Sequence, residues 1–279
     1  MTVKKLEFES IYFDLYELSS GIFAAISTDK LPSSNAGFFD LGNYLVIFDT
    51  LMNPFSTIDL IKASKQFTDK EPSFLINSHH HIDHLFGNRI FAMNIPIISS
   101  QKAFMEAQDT LQTRFKDFQK QAPTEIKRTK TELLTEKNPD KILELKNDIN
   151  TWNEIKDPNF NLRLPNVIVN DSFSIKGTQN QVQIINIGAA HTKGDMIAVF
   201  EKEKICFMGD LLFEKTEPSW ATATEGVPTP ANPEHLRDTL IEYAEKDIDV
   251  YIPGHGNLCT KKELRENADF YNEYFVKKK

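Results

Sequence analysis

The sequence predicts an α/β protein with a helical insert in its middle, and three features of the chain indicate this class. Both ends of the chain contain short aromatic and β-branched segments separated by glycine and serine, as is typical of strands. Segments with apolar residues at helical spacing alternate with these strands. Residues 101–160 contain no glycine and are rich in charges of both signs, which favours helices.

The first part of the chain is predicted to start with a strand meander, formed by SIYFDLYEL, GIFAAIST and AGFFDLGNYLVIFD. Asn53 and Pro54 suit the N-cap and first position of a helix over residues 53–67. The buried strand PSFLINS then leads to a histidine-rich segment. After it, IDHLFGNRIFAM is predicted to be a helix and IPIISS a strand.

The insert is predicted to hold two or three helices, with breaks at Pro123 and Pro139. Strands return in NVIVNDSFSI, QVQIINIG, DMIAVFE and EKICFMGD. The helix NPEHLRDTLIEYAEKD, the strand IDVYIPGHG and the helix TKKELRENADFYNEYF follow. We expect one domain over residues 1–279, with the insert at 101–160 within it.

Composition narrows the class of protein. The chain has 279 residues, of which 40% are hydrophobic, so it can bury a sizeable core. No apolar run approaches the roughly 18 residues of a transmembrane helix, and the start does not resemble a signal peptide. The two cysteines fit a reducing compartment, so we expect a cytoplasmic protein without a membrane partner. A net charge of −8 argues against a nucleic-acid partner.

Four of the seven histidines lie in HHHIDH, residues 79–84. In an extended segment His79 and His81 share a face, whereas His80 points away. Asp83 and His84 follow at the start of the predicted helix and can turn back toward the same point. Such a set suits zinc, and iron or manganese also fit. A histidine-rich surface turn is the alternative, but the position between a buried strand and an apolar helix argues against it.

Three further ligand-type residues follow or end predicted strands. His191 follows IINIGAA, Asp210 ends KICFMGD, and His255 ends VYIPGH between two glycines. The carboxyl ends of strands are where α/β sheets carry their sites. Each residue alone would more often be structural than functional. Together with the histidine cluster, they favour one metal centre.

These segments resemble the metallo-β-lactamase superfamily. HHHIDH matches its HxHxDH signature, and GAAHTKGD, MGD and IPGHG are similar to its later motifs in the same order. The resemblance spans nearly the whole chain apart from the insert, and it implies an αββα four-layer sandwich with the site at one edge. Asp49 resembles the acidic residue near the family's N-terminal strands, although Leu51 stands where a glycine usually follows.

The resemblance also implies two divalent metal ions, zinc foremost, with iron or manganese as alternatives. The implied ligands are one triad for each ion and one bridging residue: His79, His81 and His191; Asp83, His84 and His255; and Asp210. A hydroxide between the ions would be the nucleophile. The two carboxylates are the implied catalytic residues, because Asp83 could orient the nucleophile and pass on its proton while Asp210 fixes both ions.

Asp210 also separates branches of the family. The thioester hydrolases of the glyoxalase II type, the lactonases and the phosphoesterases carry this aspartate, whereas true β-lactamases carry another residue. The resemblance therefore implies hydrolysis of a small ester, thioester, lactone or phosphodiester, with at most weak β-lactamase activity. The insert lacks the glycines and basic excess of the tRNA-processing members. The alternatives are an iron-dependent oxidoreductase of the persulfide dioxygenase type and a non-catalytic binding protein.

Other prominent residues are expected to be structural or to support the site. The residues expected in packing or at the surface are His80, His235, Cys206, Cys259 and Phe86. Asp49 and Asp195 are candidates to hold ligand imidazoles through their second nitrogens. Trp220 lies in a Pro- and Thr-rich loop that either rims the pocket or packs on the core.

The helical insert is expected to form one wall of a pocket for a small-molecule substrate. Its amphipathic segments must bury an apolar face, and surface insertions near a site shape what enters it. The alternatives are a contribution to a homodimer and a position remote from the pocket.

Overall fold

A computed structural model describes residues 3–31, 33–214 and 230–277 of the chain. Its strands form two sheets. The eight-stranded sheet follows chain order and contains β1 (Lys4–Lys5), β2 (Phe13–Ser19), β3 (Ile22–Ser27), β4 (Ala36–Asp40), β5 (Leu45–Phe48), β6 (Phe74–Ile76), β7 (Ile97–Ser100) and β8 (Val167–Val169). The five-stranded sheet contains β9 (Phe173–Lys176), β10 (Gln181–Gly188), β11 (Asp195–Phe200), β12 (Ile205–Phe213) and β13 (Val250–His255).

The pairing direction changes within each sheet. Strands β1 to β5 pair antiparallel and β5 to β8 pair parallel. In the second sheet β9 to β12 pair antiparallel, whereas β12 and β13 are parallel. The parallel pairs matter for the site, because carboxyl ends of parallel strands lie at the same edge of a sheet.

Helices cover the sheets and form the middle of the chain. They are α1 (Pro54–Thr68), α2 (Ile82–Leu85), α3 (Gln101–Glu106), α4 (Gln112–Leu133), α5 (Pro139–Lys156), α6 (Pro233–Glu245) and α7 (Lys261–Tyr271). Helix α1 begins as predicted, since Asn53 Oδ1 accepts the N–H of Phe55 and Pro54 is the first helical residue. Among the described residues, none of the helices combines the length and the apolar character that a membrane span requires.

Three apolar clusters define the layers. The central cluster joins both sheets, and the ring of Phe39 lies 4.8 Å from that of Phe200 and 4.9 Å from that of Phe207. A second cluster packs α6 and α7 on the five-stranded sheet, and a third packs α1 on the eight-stranded sheet. The order of layers is helix, sheet, sheet, helix, which confirms the predicted αββα sandwich.

The helices of residues 101–156 pack on the core through aromatic residues. The Phe160 ring lies 5.0 Å from that of Phe86 and 4.8 Å from that of Phe115 in α4. Phe86 lies two residues after His84, so this contact joins the helical segment to the histidine segment. Phe86 is fully buried, as predicted.

Two local predictions were wrong. Pro123 does not break a helix but lies on the exposed side of α4. The buried residues Phe115, Ala122 and Ile126 on the other side keep the helix continuous, because their packing outweighs the local cost of proline. The helix predicted for IDHLFGNRIFAM ends at Leu85, and a 3-10 turn follows over Phe86–Ile90.

The early end of α2 has a tertiary cause. The buried side chain of Asn88 donates to Asn77 Oδ1 at 2.8 Å and accepts from Thr50 Oγ1 at 3.1 Å. Gly87 packs so tightly that a Cβ there would lie 2.1 Å from Thr57 Oγ1. These contacts hold the chain in a tighter turn than an α-helix.

Candidate metal centre

The seven residues predicted as metal ligands lie near strand ends of both sheets. His79 and His81 follow β6, Asp83 and His84 lie in α2, His191 follows β10, Asp210 is within β12, and His255 ends β13. The backbone N–H of Met196 in β11 donates to the carbonyl of Ser78 at 2.8 Å. This bond ties the second sheet to the start of the histidine segment, so residues far apart in sequence meet at one edge of the sandwich.

The structure brings the seven residues together in two groups. In each group one ligand atom per residue lies within 4.8 Å of the others: His79, His81, His191 and Asp210; and Asp83, His84 and His255. Both groups combine imidazoles with a carboxylate, a donor set that suits zinc and related divalent ions. The grouping divides the residues as the resemblance implied, with Asp210 counted in the first group.

The carboxylate of Asp210 lies between the groups. Its Oδ2 is 3.6 Å from His79 Nε2 and 3.4 Å from His191 Nε2. Its Oδ1 is 3.0 Å from His84 Nε2 and 3.5 Å from His255 Nε2. Each oxygen therefore faces a different group, which is the arrangement of a bridging carboxylate.

Burial and neighbouring charges shift the pKa values of these groups in opposite directions. Burial, followed by the charge of His84, holds the pKa of His79 well below its usual value. Burial opposes ionisation of Asp210, but His84, His255 and His79 outweigh it and keep the pKa of this carboxyl well below its usual range. Burial and His191 lower the pKa of His81 to about 3. At neutral pH, His79 and His81 are thus neutral donors beside an ionised carboxylate.

Hydrogen bonds fix the second ring nitrogen of three of the histidines. His84 Nδ1 lies 2.8 Å from Asp49 Oδ2, and His255 Nδ1 lies 3.2 Å from the carbonyl of Ser33. His79 Nδ1 lies 2.9 Å from the hydroxyl of Ser78. Each Nδ1 is thus engaged, so a metal ion that displaces the proton of Nε2 would meet its lone pair, as metal-bound imidazoles require.

Asp49 organises the histidine segment. Its carboxylate accepts from Ser78 N–H and from Ser78 O–H, both at 2.7 Å, as well as from His84. The predicted hydrogen bond between Asp49 and the second nitrogen of a candidate ligand imidazole is present. Asp49 and Leu51 both have positive φ, at 59° and 65°. Glycine adopts this backbone conformation readily, which explains why a glycine usually follows the aspartate in the family. Leu51 adopts the same positive φ at a cost in free energy.

Asp195 has a different role from the one predicted. Its carboxylate accepts from the N–H and O–H of Thr192 and from the N–H of Ala190. These bonds hold the turn on either side of His191 rather than its ring. The reason is local, because Asp195 starts β11 and its side chain caps the turn that precedes the strand.

His80 points away from both ligand groups, as predicted. Its Nδ1 lies 3.3 Å from Glu106 Oε2 at the end of α3. Glu106 Oε1 also pairs with Lys193 Nζ at 3.1 Å, two residues after His191. Glu106 therefore links the histidine segment, the helical segment and the His191 turn, and nothing in the sequence around it marks this role.

His235, Cys206 and Cys259 have structural contacts and lie outside both ligand groups. His235 Nε2 lies 3.1 Å from the carbonyl of Ile187. Cys206 and Cys259 are buried in the apolar cluster beneath α6 and α7. Burial raises the pKa of both thiols, which therefore lack the features of a nucleophile. Trp220 lies outside the described residues.

A cavity of about 530 Å³ opens onto the centre. Asp83, His255, Met52 and Asn257 are among the residues that line it. About a quarter of each of the Asp83 and His255 side chains is exposed, whereas His79 and His84 are buried. A substrate in this cavity would meet the group that contains Asp83 first.

A family model covers most of the chain. The model of the metallo-beta-lactamase superfamily matches residues 30–255, and the chain belongs to this superfamily. Members of the family bind divalent metals and are typically metal-dependent hydrolases. A comparison with curated proteins finds no match.

Solved structures share the fold at low sequence identity. The metallo-β-lactamase FIM-1 from Pseudomonas aeruginosa, in its mono-zinc form, is 14% identical with a TM-score of 0.63, over 94% of this chain and 96% of that chain. The metallo-β-lactamase from Pontibacter korlensis is 14% identical with a TM-score of 0.64, over 93% and 99%. One from Hirschia baltica is 14% identical with a TM-score of 0.62, over 93% and 98%.

The donor atoms themselves fit a metal. His79 Nε2 is fully buried, faces Asp210 and has no hydrogen-bond partner among the described residues. A buried polar atom without a partner costs about 1–3 kcal/mol. A divalent cation between these atoms would satisfy His79 Nε2 and offset the negative charge of Asp210. The residues present therefore fit the metal that the family implies.

Proposed function

We propose that this chain is a hydrolase that uses two divalent metal ions, zinc foremost, to cleave a small ester, thioester, lactone or phosphodiester. The seven residues of the candidate centre are the proposed ligands. The position of Asp210 carries the proposal, because its two oxygens face different ligand groups. Membership of a largely hydrolytic family supports it.

The ions would supply a water molecule acidic enough to ionise near neutral pH and a Lewis acid for the substrate oxygen. The protein positions their ligands. Asp49 and Ser33 hold the rings of His84 and His255 by hydrogen bonds to Nδ1, so that Nε2 of each ring faces Asp210. Such outer hydrogen bonds fix both the tautomer and the direction of a ligand imidazole.

Asp83 is the proposed proton carrier. Burial opposes its ionisation, but His84 and His255 outweigh burial and keep the pKa of this carboxyl low. Its Oδ2 lies 3.1 Å from His255 Nε2, at the wall of the cavity. Asp83 is thus ionised, partly exposed and close to where a substrate would lie, so it can accept a hydrogen bond from the attacking water. Its low pKa means that a proton passed to it is released to solvent rather than kept.

We expect any β-lactamase activity to be weak. The similar solved structures are named as metallo-β-lactamases, but their 14% identity supports a shared fold alone. The aspartate at position 210 matches the ester- and thioester-cleaving branches of the family instead. A β-lactam chromogen therefore belongs in the assay as a comparison substrate.

The test combines metal analysis with a substrate panel. Protein purified without an affinity tag is expected to hold close to two zinc ions per chain and to cleave at least one chromogenic ester, thioester, lactone or phosphodiester. Asp210→Ala should abolish this turnover while the far-UV circular dichroism stays unchanged. One iron per chain with oxygen consumption would favour the oxidoreductase, and a metal-free protein with full activity would refute the proposal.

A further inference from the structure

A second cavity adjoins the one that opens onto the metal centre. It has a volume of about 760 Å³ and lies between α5 and the core. Asp29, Ser33 and Met52 line both cavities. The two cavities therefore form one groove, which runs from Asp83 and His255 to the helical segment.

Hydrogen bonds between the helical segment and the core fix the width of this groove. Asn53, the N-cap of α1, donates through Nδ2 to Asn147 Oδ1 at 2.8 Å and to Thr151 Oγ1 at 2.7 Å. Both acceptors lie on α5. These polar groups satisfy one another, so they hold α1 and α5 together, and the groove is formed before any ligand binds.

Two aromatic rings of the helical segment line the second cavity. Phe118 of α4 and Trp152 of α5 pack edge to face, with ring centres 6.2 Å apart. The guanidinium of Arg114 already lies over the Phe118 ring at 5.4 Å. The face of an indole is the aromatic surface that attracts cations most strongly, which makes Trp152 the more favourable ring for a bound cation.

The charged residues of the second cavity are mainly acidic. Four carboxylates and two lysines line it: Asp29, Asp140, Glu144 and Asp148; and Lys30 and Lys141. Lys141 Nζ is held by Glu144 Oε1 at 2.7 Å, and Lys30 is exposed to solvent. The acidic excess favours a ligand of positive charge.

Asp148 differs from the exposed Asp29 and Asp140 of this cavity because burial disfavours its charge. It is half-buried on α5, one turn before Trp152, and within the described chain it makes no hydrogen bond or close ion pair. Burial and the charge of Glu144 raise its pKa, and the charges of Lys141 and Arg128 do not offset them. A cation placed between Asp148 and Trp152 would relieve this disfavoured charge.

We propose that the groove binds a positively charged group, an amine or a quaternary ammonium, at the end of the substrate away from the bond that is cleaved. This inference rests on the proposed hydrolase function and names the substrate class more closely. Trp152 and Asp148 are the proposed specificity-determining residues. The groove is continuous with the cavity at Asp83, so the cationic group and the scissile bond can belong to one molecule.

Matched substrates test the inference. Chromogenic esters with an ω-trimethylammonium acyl chain are compared with their uncharged ω-tert-butyl isosteres over a series of chain lengths. The zinc-loaded protein is expected to show a KM about tenfold lower for the cationic ester, the size of one good contact between a cation and a ring or carboxylate. The value of kcat should differ little, since the cationic group lies away from the reacting bond.

Variants identify the residues responsible. Asp148→Asn and Trp152→Leu should each raise the KM of the cationic ester toward that of its isostere and leave the isostere's KM unchanged. Asp117→Asn is the matched control, because Asp117 is an exposed aspartate of α4 that pairs with Lys120 and lines neither cavity. It should keep the full preference.

A binding measurement separates failure of this inference from failure of the proposed function. Isothermal titration with a trimethylammonium ether, which cannot be hydrolysed, should show binding to the wild type that Asp148→Asn weakens about tenfold. Equal KM values for the ester pair would overturn the inference even if both esters are cleaved. If neither ester is cleaved, absence of ether binding would overturn it, whereas binding weakened by Asp148→Asn would support it.

Discussion

Replacing Asp49 with asparagine should change the tautomer of one proposed ligand without changing the size of the side chain. In the wild type, His84 Nδ1–H donates to Asp49 Oδ2 over 2.8 Å, which leaves Nε2 as the nitrogen that a metal ion would bind. An asparagine that preserves the 2.7 Å bond from the Ser78 N–H through Oδ1 must turn its amide nitrogen toward His84. Nδ1 then becomes the acceptor, and the proton moves to Nε2, where it opposes metal binding.

The structure indicates the size of both effects. The side chains of Asp49 and His84 are 2% and 0% exposed, so solvent screens their interaction little. A hydrogen bond to a charged group contributes about 1.5–3 kcal/mol and a neutral one about 1 kcal/mol, so the metal-free protein should lose about 1–2 kcal/mol of unfolding free energy. Loss of an orienting partner weakens metal binding about 10- to 100-fold.

Two measurements check these expectations. Competition with a chromogenic zinc chelator should show that one of the two proposed zinc ions binds about 10- to 100-fold more weakly in Asp49→Asn. Urea unfolding of the metal-free protein gives the stability difference. Asp14→Asn is the control, since within the described chain this aspartate forms its ion pair with Lys5, at the far edge of the first sheet. Unchanged affinity for both ions in Asp49→Asn, with unchanged stability, would refute the role assigned to Asp49.

Three other predictions concern residues at and around the centre. Asp83→Ala should abolish turnover in a folded protein, whereas His80→Ala should lower kcat far less, because His80 lies outside both ligand groups. Comparable losses of kcat in the two variants would mean that the ligand groups are misassigned. Leu51→Gly removes about 1 kcal/mol of backbone strain at a positive φ, but it also removes a leucine side chain that is 2% exposed. Urea unfolding should therefore show that the free energy of unfolding falls by about 2 kcal/mol. Cys206 and Cys259 should react with a thiol reagent only after denaturation, and rapid labelling of the native protein would contradict their burial.

The strands, most helices and the candidate site residues follow from short-range patterns, whereas the layers and the grouping of the site residues follow from the resemblance to the family. Strand ends that carry His191, Asp210 and His255 could be placed from apolar runs, and the spacing of residues 79–84 places His80 apart from its neighbours. Asp49 is a candidate through the resemblance, and it directly follows the buried strand β5. In each case a local pattern decides where the side chain lies.

The contacts that tertiary packing creates could not be predicted in the same way. Glu106 pairs with His80 and Lys193, which are 26 and 87 residues away, and its own surroundings are an ordinary charged helix. Pro123 stays helical because packing on the buried face outweighs the local preference. The groove between α5 and the core depends on Asn53 meeting Asn147, which no periodicity specifies.

The run of histidines at residues 79–84 has a consequence for the unfolded chain as well as for the folded one. Four imidazoles within six positions can chelate zinc before any strand has formed. A metal that also binds the denatured ensemble stabilises the native state by less than its native affinity implies. Refolding in excess zinc should therefore be slower than refolding in chelator followed by zinc, because ions held by this run alone must be released before His191, Asp210 and His255 can complete their shells.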